Sequence, residues 1–396
     1  MKIQHLYLTI CLIIVALLFG ITGCEYDGPA AIWNADADLG VQPSITAIDP
    51  PESAGGASVI QIIGQGFKVD STKVYFDDVP SEIQSMTPTE IIVYRPNISG
   101  DSIAILVQVD GAVALAAHSG YEITAVVSNY GKFVTPGGVF LMDFDTEGNM
   151  WMLVRKRVFK ILPDQYIVEI TQQTYRGSTS DIKIGPNGYL FMKKKDHALL
   201  YMIDSAQNDT TVEYAAYPKN MSYIDFDENG NIFAGGDGTG IGVIVGDTSY
   251  VVGNCEDLSI VCIRVFDDAL YVLDDESNVW RSEILDDAGT LADKELFLDW
   301  STSGYTGAEA FCITFDADGI LYVGTDHSDT VLMFDTDGKL IGPLFKGILF
   351  PSSIWMTWDN DNSLYVTRYG SPEDMVDDLF KVSVDKAGAP YYGRGL

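Results

Sequence analysis

Three turns in the C-terminal part of the chain crowd side-chain oxygens: Asp316-Ala317-Asp318-Gly319, Asp335-Thr336-Asp337-Gly338 and Asp359-Asn360-Asp361-Asn362. Carboxylates at alternate positions invite a calcium reading. A calcium loop, however, supplies about six to eight oxygens, and the EF-hand form adds a glutamate at its twelfth position. None of the three has that extent, so calcium stays a possible but unassigned cofactor. The turns read instead as hairpins in which Asp, Asn and Gly supply backbone geometry. No G-x-S-x-G, H-E-x-x-H or phosphate-cradling glycine loop occurs, and His5, His118, His197 and His327 fall into no motif. Cys255, Cys262 and Cys312 match no zinc spacing, and an odd number of them cannot form a complete disulfide set. They read as buried free thiols. No catalytic residue and no resident metal are assigned, and the expectation is a protein that is not an enzyme.

Binding chemistry is better represented. Arg155-Lys156-Arg157 and Lys193-Lys194-Lys195 place six cations in two loops, while Asp274-Asp275-Glu276, Asp326 to Asp329, and Glu373-Asp374 with Asp377-Asp378 make the corresponding later loops acidic. Two readings stand: solvated hairpin tips, or a polarised rim that docks an anionic polymer or a partner protein on its basic side. Trp300, Tyr305 and Tyr369 fall in predicted loops and are the aromatic candidates for contact with a ligand.

The scaffold that must hold these residues is long, at 396 residues, and 47% hydrophobic with only 20% charged. That excludes a largely disordered chain. Thirty-eight glycines and 11% aromatics favour strands and turns over helical bundles. A formal charge of −32 repels phosphate backbones, so nucleic acid is not an expected partner.

The first residues read as an address. Lys2 is followed by an uncharged run from Leu6 to Ile21, too short for a membrane span, and then by Ile21-Thr22-Gly23-Cys24. This resembles a bacterial lipoprotein signal. The resemblance implies cleavage of residues 1–23, lipidation of Cys24 and a membrane anchor there. Residues 24–42 read as a tether, and the acidic residues just after Cys24 resemble the export signals of Bacteroidota surface lipoproteins. The implied location is the outer membrane, exposed at the cell surface.

Residues 43–126 carry short alternating strands at Ile45–Ile48, Val59–Ile63, Val74–Phe76, Glu90–Tyr94, Ile103–Val109 and Tyr121–Val126, which suggests a β-sandwich. The run Ile60-x-Ile62-x-Gly64-x-Gly66-Phe67, preceded by Ile45-x-x-Ile48-x-Pro50, resembles the IPT/TIG immunoglobulin-like domain. Such domains act as spacers or interaction modules.

Beyond Asn129 the chain repeats itself. Asp143 to Met152, Ile182 to Met192, Phe226 to Ala234, Val265 to Val272, Phe315 to Val323 and Trp358 to Val366 share a strand, a polar turn and a second strand. They recur about every 43 residues, the period of propeller blades. Four strands in each of six units predict a six-bladed β-propeller over residues 127–396. Either Glu122 to Val127 or Gly131 to Phe140 is expected to complete its last sheet. One aromatic recurs in each unit as Trp151, Phe191, Phe233, Tyr271, Tyr322 and Tyr365, a ladder expected to pack between blades. The D-x-x-G-x-[LI]-[YF]-V core resembles NHL and SMP-30/gluconolactonase-like propellers. A lactonase of that kind would hold a divalent metal in its channel, and Glu309, Asn254 and Asp181 have suitable chemistry, though no motif groups them.

The expected fold is therefore all-β, an immunoglobulin-like sandwich followed by a six-bladed propeller. By resemblance to similarly organised Bacteroidota proteins, the expected role is a binding platform for glycan capture or a component of a glycan-uptake complex. The alternatives are a metal-dependent lactonase-like hydrolase and a protein-binding adhesin.

Overall fold

The computed structural model describes residues 41–130, 140–154, 157–171, 179–204, 210–253, 255–349, 351–368 and 378–394. Cys24, Asn254, Arg155, Lys156, Tyr369, Glu373, Asp374 and Asp377 lie outside the described residues. Residues Gln42–Leu396 form one compact unit.

The sandwich has two four-stranded sheets. One orders Ser44–Asp49, Val59–Gln65, Glu90–Tyr94 and Ile83–Thr87; the other orders Val79–Ser81, Thr72–Phe76, Gly100–Val109 and Ala116–Ile123. Alternation decides which side chains go inward. Ile60 and Ile62 are fully buried while Gln61 between them points away, and Val74, Phe76, Ile91, Val93, Ile105 and Val107 complete the core. The short strands Val79–Ser81 and Ile83–Thr87 add to the six expected from sequence.

The propeller comprises six antiparallel four-stranded blades, each built in chain order from the axis outward. Their innermost strands are Phe140–Phe144, Thr179–Ile184, Tyr223–Phe226, Ile260–Phe266, Ala310–Phe315 and Ser353–Trp358. Each lies beside the inner strands of its two neighbours, blade 6 against blade 1, so the ring closes. Blade 6 takes its outermost strand from Val127–Asn129, which pairs Val127 with Val382 and Asn129 with Phe380. The closing strand thus touches the expected Glu122 to Val127 only at its last residue. Pairing the start of the propeller with its end removes two free edges at once.

The repeated aspartate has a local cause. Asp145 Oδ1 accepts from the Glu147 and Asn149 amides at 3.1 and 2.9 Å. Asp227, Asp274, Asp316, Asp335 and Asp359 accept in the same way from the residues two and four positions on. A carboxylate that holds two turn amides defines the hairpin without any ion. The aromatic ladder lies at the next level: all six rings are buried. Trp151 and Tyr322 donate back to Asp145 and Asp316 at 2.9 and 3.1 Å.

The sandwich is fastened to blades 5 and 6. Lys346 pairs with Glu82 at 2.7 Å and sits over the Tyr94 ring, while Gln84 donates to the Ile341 carbonyl at 3.3 Å. The Gly56 amide donates to Asp385, and a Cβ at Gly56 would lie 2.4 Å from the Val384 carbonyl carbon. Only glycine permits that approach. Gly56→Ala is expected to cost about 1–3 kcal/mol through overpacking and to expose residues 124–130 to protease. Limited proteolysis beside calorimetry checks it, and an unchanged cleavage pattern would contradict it.

Candidate functional site

The strand register lines up one residue from each inner strand opposite the six ladder aromatics: Asp143, Lys183, Asp225, Arg264, Thr314 and Thr357. Five of these are 2% exposed or less and Lys183 is 9% exposed, so the axis of the propeller carries a buried polar layer. Buried charge is costly unless paired, and here the C-terminal segment supplies the pairing. Ala389 donates to the Phe315 carbonyl, and the chain then crosses the axis to Arg394. The Arg394 guanidinium donates to Asp143 through Nε at 3.0 Å and through Nη2, and also to the Trp358 carbonyl and Thr357 Oγ1, both at 2.8 Å. Arg264 donates to Asp225 at 2.9 Å and to the Pro390 carbonyl at 2.6 Å. The Tyr391 ring lies between the two guanidinium groups, 3.8 Å from that of Arg264 and 4.0 Å from that of Arg394. Burial is the largest single influence and works against the charged form of Arg264 and Lys183, but Asp225 acting together with Asp143 and Tyr391, and with Asp181 for Lys183, outweighs it and holds both pKa values above their ordinary positions. This end of the channel is plugged.

Two residues earlier in each strand lies a second layer: Leu141, Asp181, Tyr223, Cys262, Cys312 and Trp355. Burial pushes the Cys262 thiol up to about 12 and the Cys312 thiol well above its usual value, so both stay protonated and unreactive. Cys255 is buried as well. Asp181 is the one ionisable carboxyl of this layer. Its Oδ2 accepts from the Ile224 amide at 2.9 Å, whereas no group donates to its buried Oδ1. Burial raises its pKa to about 7, against the pull of Lys183.

Above this layer the channel opens into a cavity of about 370 Å³. Every blade contributes to its wall: Leu141, Ser180, Tyr223, Val261 and Phe311 from blades 1 to 5, and Ile354 and Trp355 from blade 6. Trp355 is held by its indole N–H on the Met142 carbonyl at 3.2 Å. The site is thus an apolar funnel with aromatic walls, closed beneath by the Arg394 plug. A larger cleft of about 630 Å³ lies on the turn face, but its Arg281 and Glu295 pair with each other at 2.8 Å.

The funnel is not made of the residues singled out by charge and loop position. Lys193 is a correction: it is fully buried in a strand, and its ammonium donates to the carbonyls of Lys194 and Leu199 at 3.0 and 3.2 Å and to that of His197. Trp300 is another, 4% exposed with its indole N–H on the Ala308 carbonyl. Both are internal because a polar backbone partner lies within reach of the buried side chain. Lys194 is half-buried and Lys195 exposed. Arg157 is exposed and donates to Glu169 at 2.9 Å. Tyr305 is half-buried, donating to Asp329 at 3.2 Å with its ring edge-on to His327. Of the metal-type residues, Glu309 is exposed and Asp181 buried in the channel, and no three His, Cys, Asp or Glu side chains are grouped to hold a metal among the described residues. The polar layer beneath the funnel left one trace in the sequence: a charged or hydroxyl residue close to the end of every inner strand.

The fold is that of an all-β protein, an immunoglobulin-like sandwich followed by a six-bladed propeller. The IPT/TIG domain family model matches residues 43–125. Among solved structures, an auxiliary nutrient binding protein from Bacteroides ovatus is similar over 87% of this chain and 99% of its own, at 14% identity and a TM-score of 0.54. A second auxiliary nutrient binding protein, from Bacteroides thetaiotaomicron, is similar over 88% and 99%, at 11% identity and a TM-score of 0.53. The calcium-binding protein regucalcin from Agrobacterium tumefaciens is similar over 67% and 97%, at 15% identity and a TM-score of 0.53. At these identities the likeness is one of fold. The first two matches are too long for a propeller alone and extend into the sandwich, whereas the third has about the propeller's length. The comparison with curated protein sequences gave no match.

Proposed function

We propose that this protein is a non-catalytic binding platform that captures a small nutrient, or the terminal unit of a glycan, end-on in the axial funnel of its propeller. The observation that carries the reading is an apolar, aromatic-walled cavity built from all six blades and closed beneath by the buried Arg394–Asp143 pair. At about 370 Å³ it falls at the small end of the roughly 300–1,000 Å³ typical of ligand pockets. A blind pocket of that size admits a ring or a chain end, not the middle of a polymer. The flat C–H face of a sugar ring suits the Trp355, Phe311 and Tyr223 side chains. The two Bacteroides structures described as nutrient-binding support the reading at the level of fold.

The test is calorimetry against ladders of gluco-, manno- and galacto-oligosaccharides from one to four rings. Affinity in the ladder that binds is expected to level off by the second ring. Affinity that climbs with every added ring, or no binding in any ladder, would overturn end-on capture.

The same reading places the protein on the outer membrane, tethered through a lipidated Cys24 and facing outward. Support comes from the Leu6 to Ile21 run and the Thr22-Gly23-Cys24 junction. Cells expressing Cys24→Ala are expected to release the protein from membranes and to lose its labelling by radioactive palmitate; labelling that survives the substitution would contradict the anchor.

A further inference from the structure

We infer that Asp181 is the polar anchor of the axial pocket, and that the ligand is an uncharged ring whose hydroxyl donates to Asp181 Oδ1. The inference rests on the reading of the funnel as the binding site.

Asp181 is 2% exposed, and the Ile224 amide fixes one oxygen of its carboxyl at 2.9 Å. The residues beside this hydrogen bond, Ser180 and Tyr223, both line the cavity, as do its layer-mates Leu141 and Trp355. Asp181 is not itself one of the lining residues, so its free Oδ1 lies just beneath the floor that these side chains form, and no group among the described residues donates to it. A buried acceptor left without a donor costs about 1–3 kcal/mol, a penalty that a ligand hydroxyl would remove on binding.

Charge selects the class of ligand. Among the described residues the channel holds three carboxylates, Asp143, Asp181 and Asp225, and three cations, Lys183, Arg264 and Arg394. Arg394 is committed to Asp143 and Arg264 to Asp225, and Lys183 lies 4.0 Å from Asp225. Among the described residues no channel cation is left for an anionic ligand, whose charge would face Asp181 across an apolar space of low dielectric. A hydroxyl supplies the donor at no cost in charge, while the ring fills the apolar wall above.

The test compares benzyl alcohol, benzyl methyl ether and benzoate by ligand-observed NMR titration at mildly alkaline pH. The proteins are residues 25–396 of the wild type, Asp181→Asn and Val261→Trp. Asparagine keeps an acceptor for Ile224 but can present an N–H in place of Oδ1. The expected result is at least about tenfold tighter binding of the alcohol than of the ether by the wild type, the strength of a hydrogen bond to a charged group. In Asp181→Asn the preference is expected to fall below about threefold with ether binding unchanged, and Val261→Trp is expected to bind neither. An alcohol preference that survives Asp181→Asn, or none in the wild type, with both probes still lost in Val261→Trp, overturns the anchor and leaves the funnel standing. Benzoate binding tighter than the alcohol overturns the uncharged class. No binding of any probe, or binding indifferent to Val261→Trp, overturns the funnel reading and the anchor with it. If Asp181→Asn does not fold, the side-chain carboxyl ¹³C resonance of Asp181 in the wild type decides. It is expected to move with the alcohol and not with the ether, and no movement overturns the inference.

Discussion

Replacing Arg394 with alanine is expected to lower the stability of the propeller by about 3–5 kcal/mol, the cost of stranding a buried charge whose partner has been removed. The stranded group is Asp143, 1% exposed, which would keep two backbone amides, those of Ile184 at 2.6 Å and Phe144 at 2.9 Å, and the longer Thr357 contact, but no cation bonded to it. The Trp358 carbonyl and Thr357 hydroxyl lose their donor in the same step. Removing both charges should be milder than removing one, because Asp143→Asn with Arg394→Met leaves no naked ion. Urea unfolding of the two single variants and the double variant forms the cycle that measures this. A loss below about 1 kcal/mol for Arg394→Ala, or full additivity in the cycle, would contradict the sealing role of the C-terminal segment.

The second large effect has the opposite sign. Burial, opposed by Lys183 and the Ile224 amide, raises the Asp181 carboxyl from 3.8 to about 7 in the folded protein. Between those values the native state holds a proton that the unfolded chain has released. The stabilising contribution is thus complete below about pH 4, declines as pH rises, and is gone above about pH 7. Asp181→Asn removes this titration. It is expected to be more stable than the wild type by about 2–4 kcal/mol at pH 8, the order set by 1.36 kcal/mol per pKa unit, with little difference near pH 4. Melting temperatures of the two proteins across that range check it. Parallel profiles, or a variant less stable at pH 8, would show that Asp181 is not a buried, unpartnered acid.

Blade number and period were legible because the first hairpin of most blades repeats a device that is local in sequence. In blades 1, 3, 5 and 6 one aspartate holds the amides two and four residues on, in the first three of these a glycine such as Gly148 takes the left-handed conformation, and in all six blades an aromatic follows. The sandwich was legible for a similar reason, since short runs rich in β-branched residues such as Val59–Gln65 and Glu90–Tyr94, bounded by turn residues, read as strands. Its two short strands were missed because three to five residues with mixed polarity, as in Val79–Ser81, carry no period.

The funnel was not legible as a site because its members are about 40 residues apart and meet only through strand register. Leu141, Tyr223, Val261 and Phe311 look like ordinary core residues in their own strands. Charge and loop position pointed elsewhere. The Lys193 ammonium turned out to serve backbone carbonyls inside blade 2, and the Trp300 ring to fill the core beside Phe334. What could have been read is the polar residue close to the end of each inner strand. Asp143, Asp225 and Arg264 interrupt strands that are otherwise mainly apolar, Lys183 holds the same place in its strand, and four charges at one repeat position require a shared axis on which to neutralise one another.

Binding of residues 25–396 to a glycan array, wild type beside Val261→Trp and each with and without EDTA, tests the central claim most directly. Val261 is a half-buried wall residue, so the indole would fill the funnel without disturbing the charged layer beneath. The account expects saturable binding by the wild type that survives EDTA and is lost in Val261→Trp. Binding that is indifferent to the tryptophan, or that disappears with EDTA, would contradict it, the first by placing the ligand elsewhere and the second by making a metal part of the site.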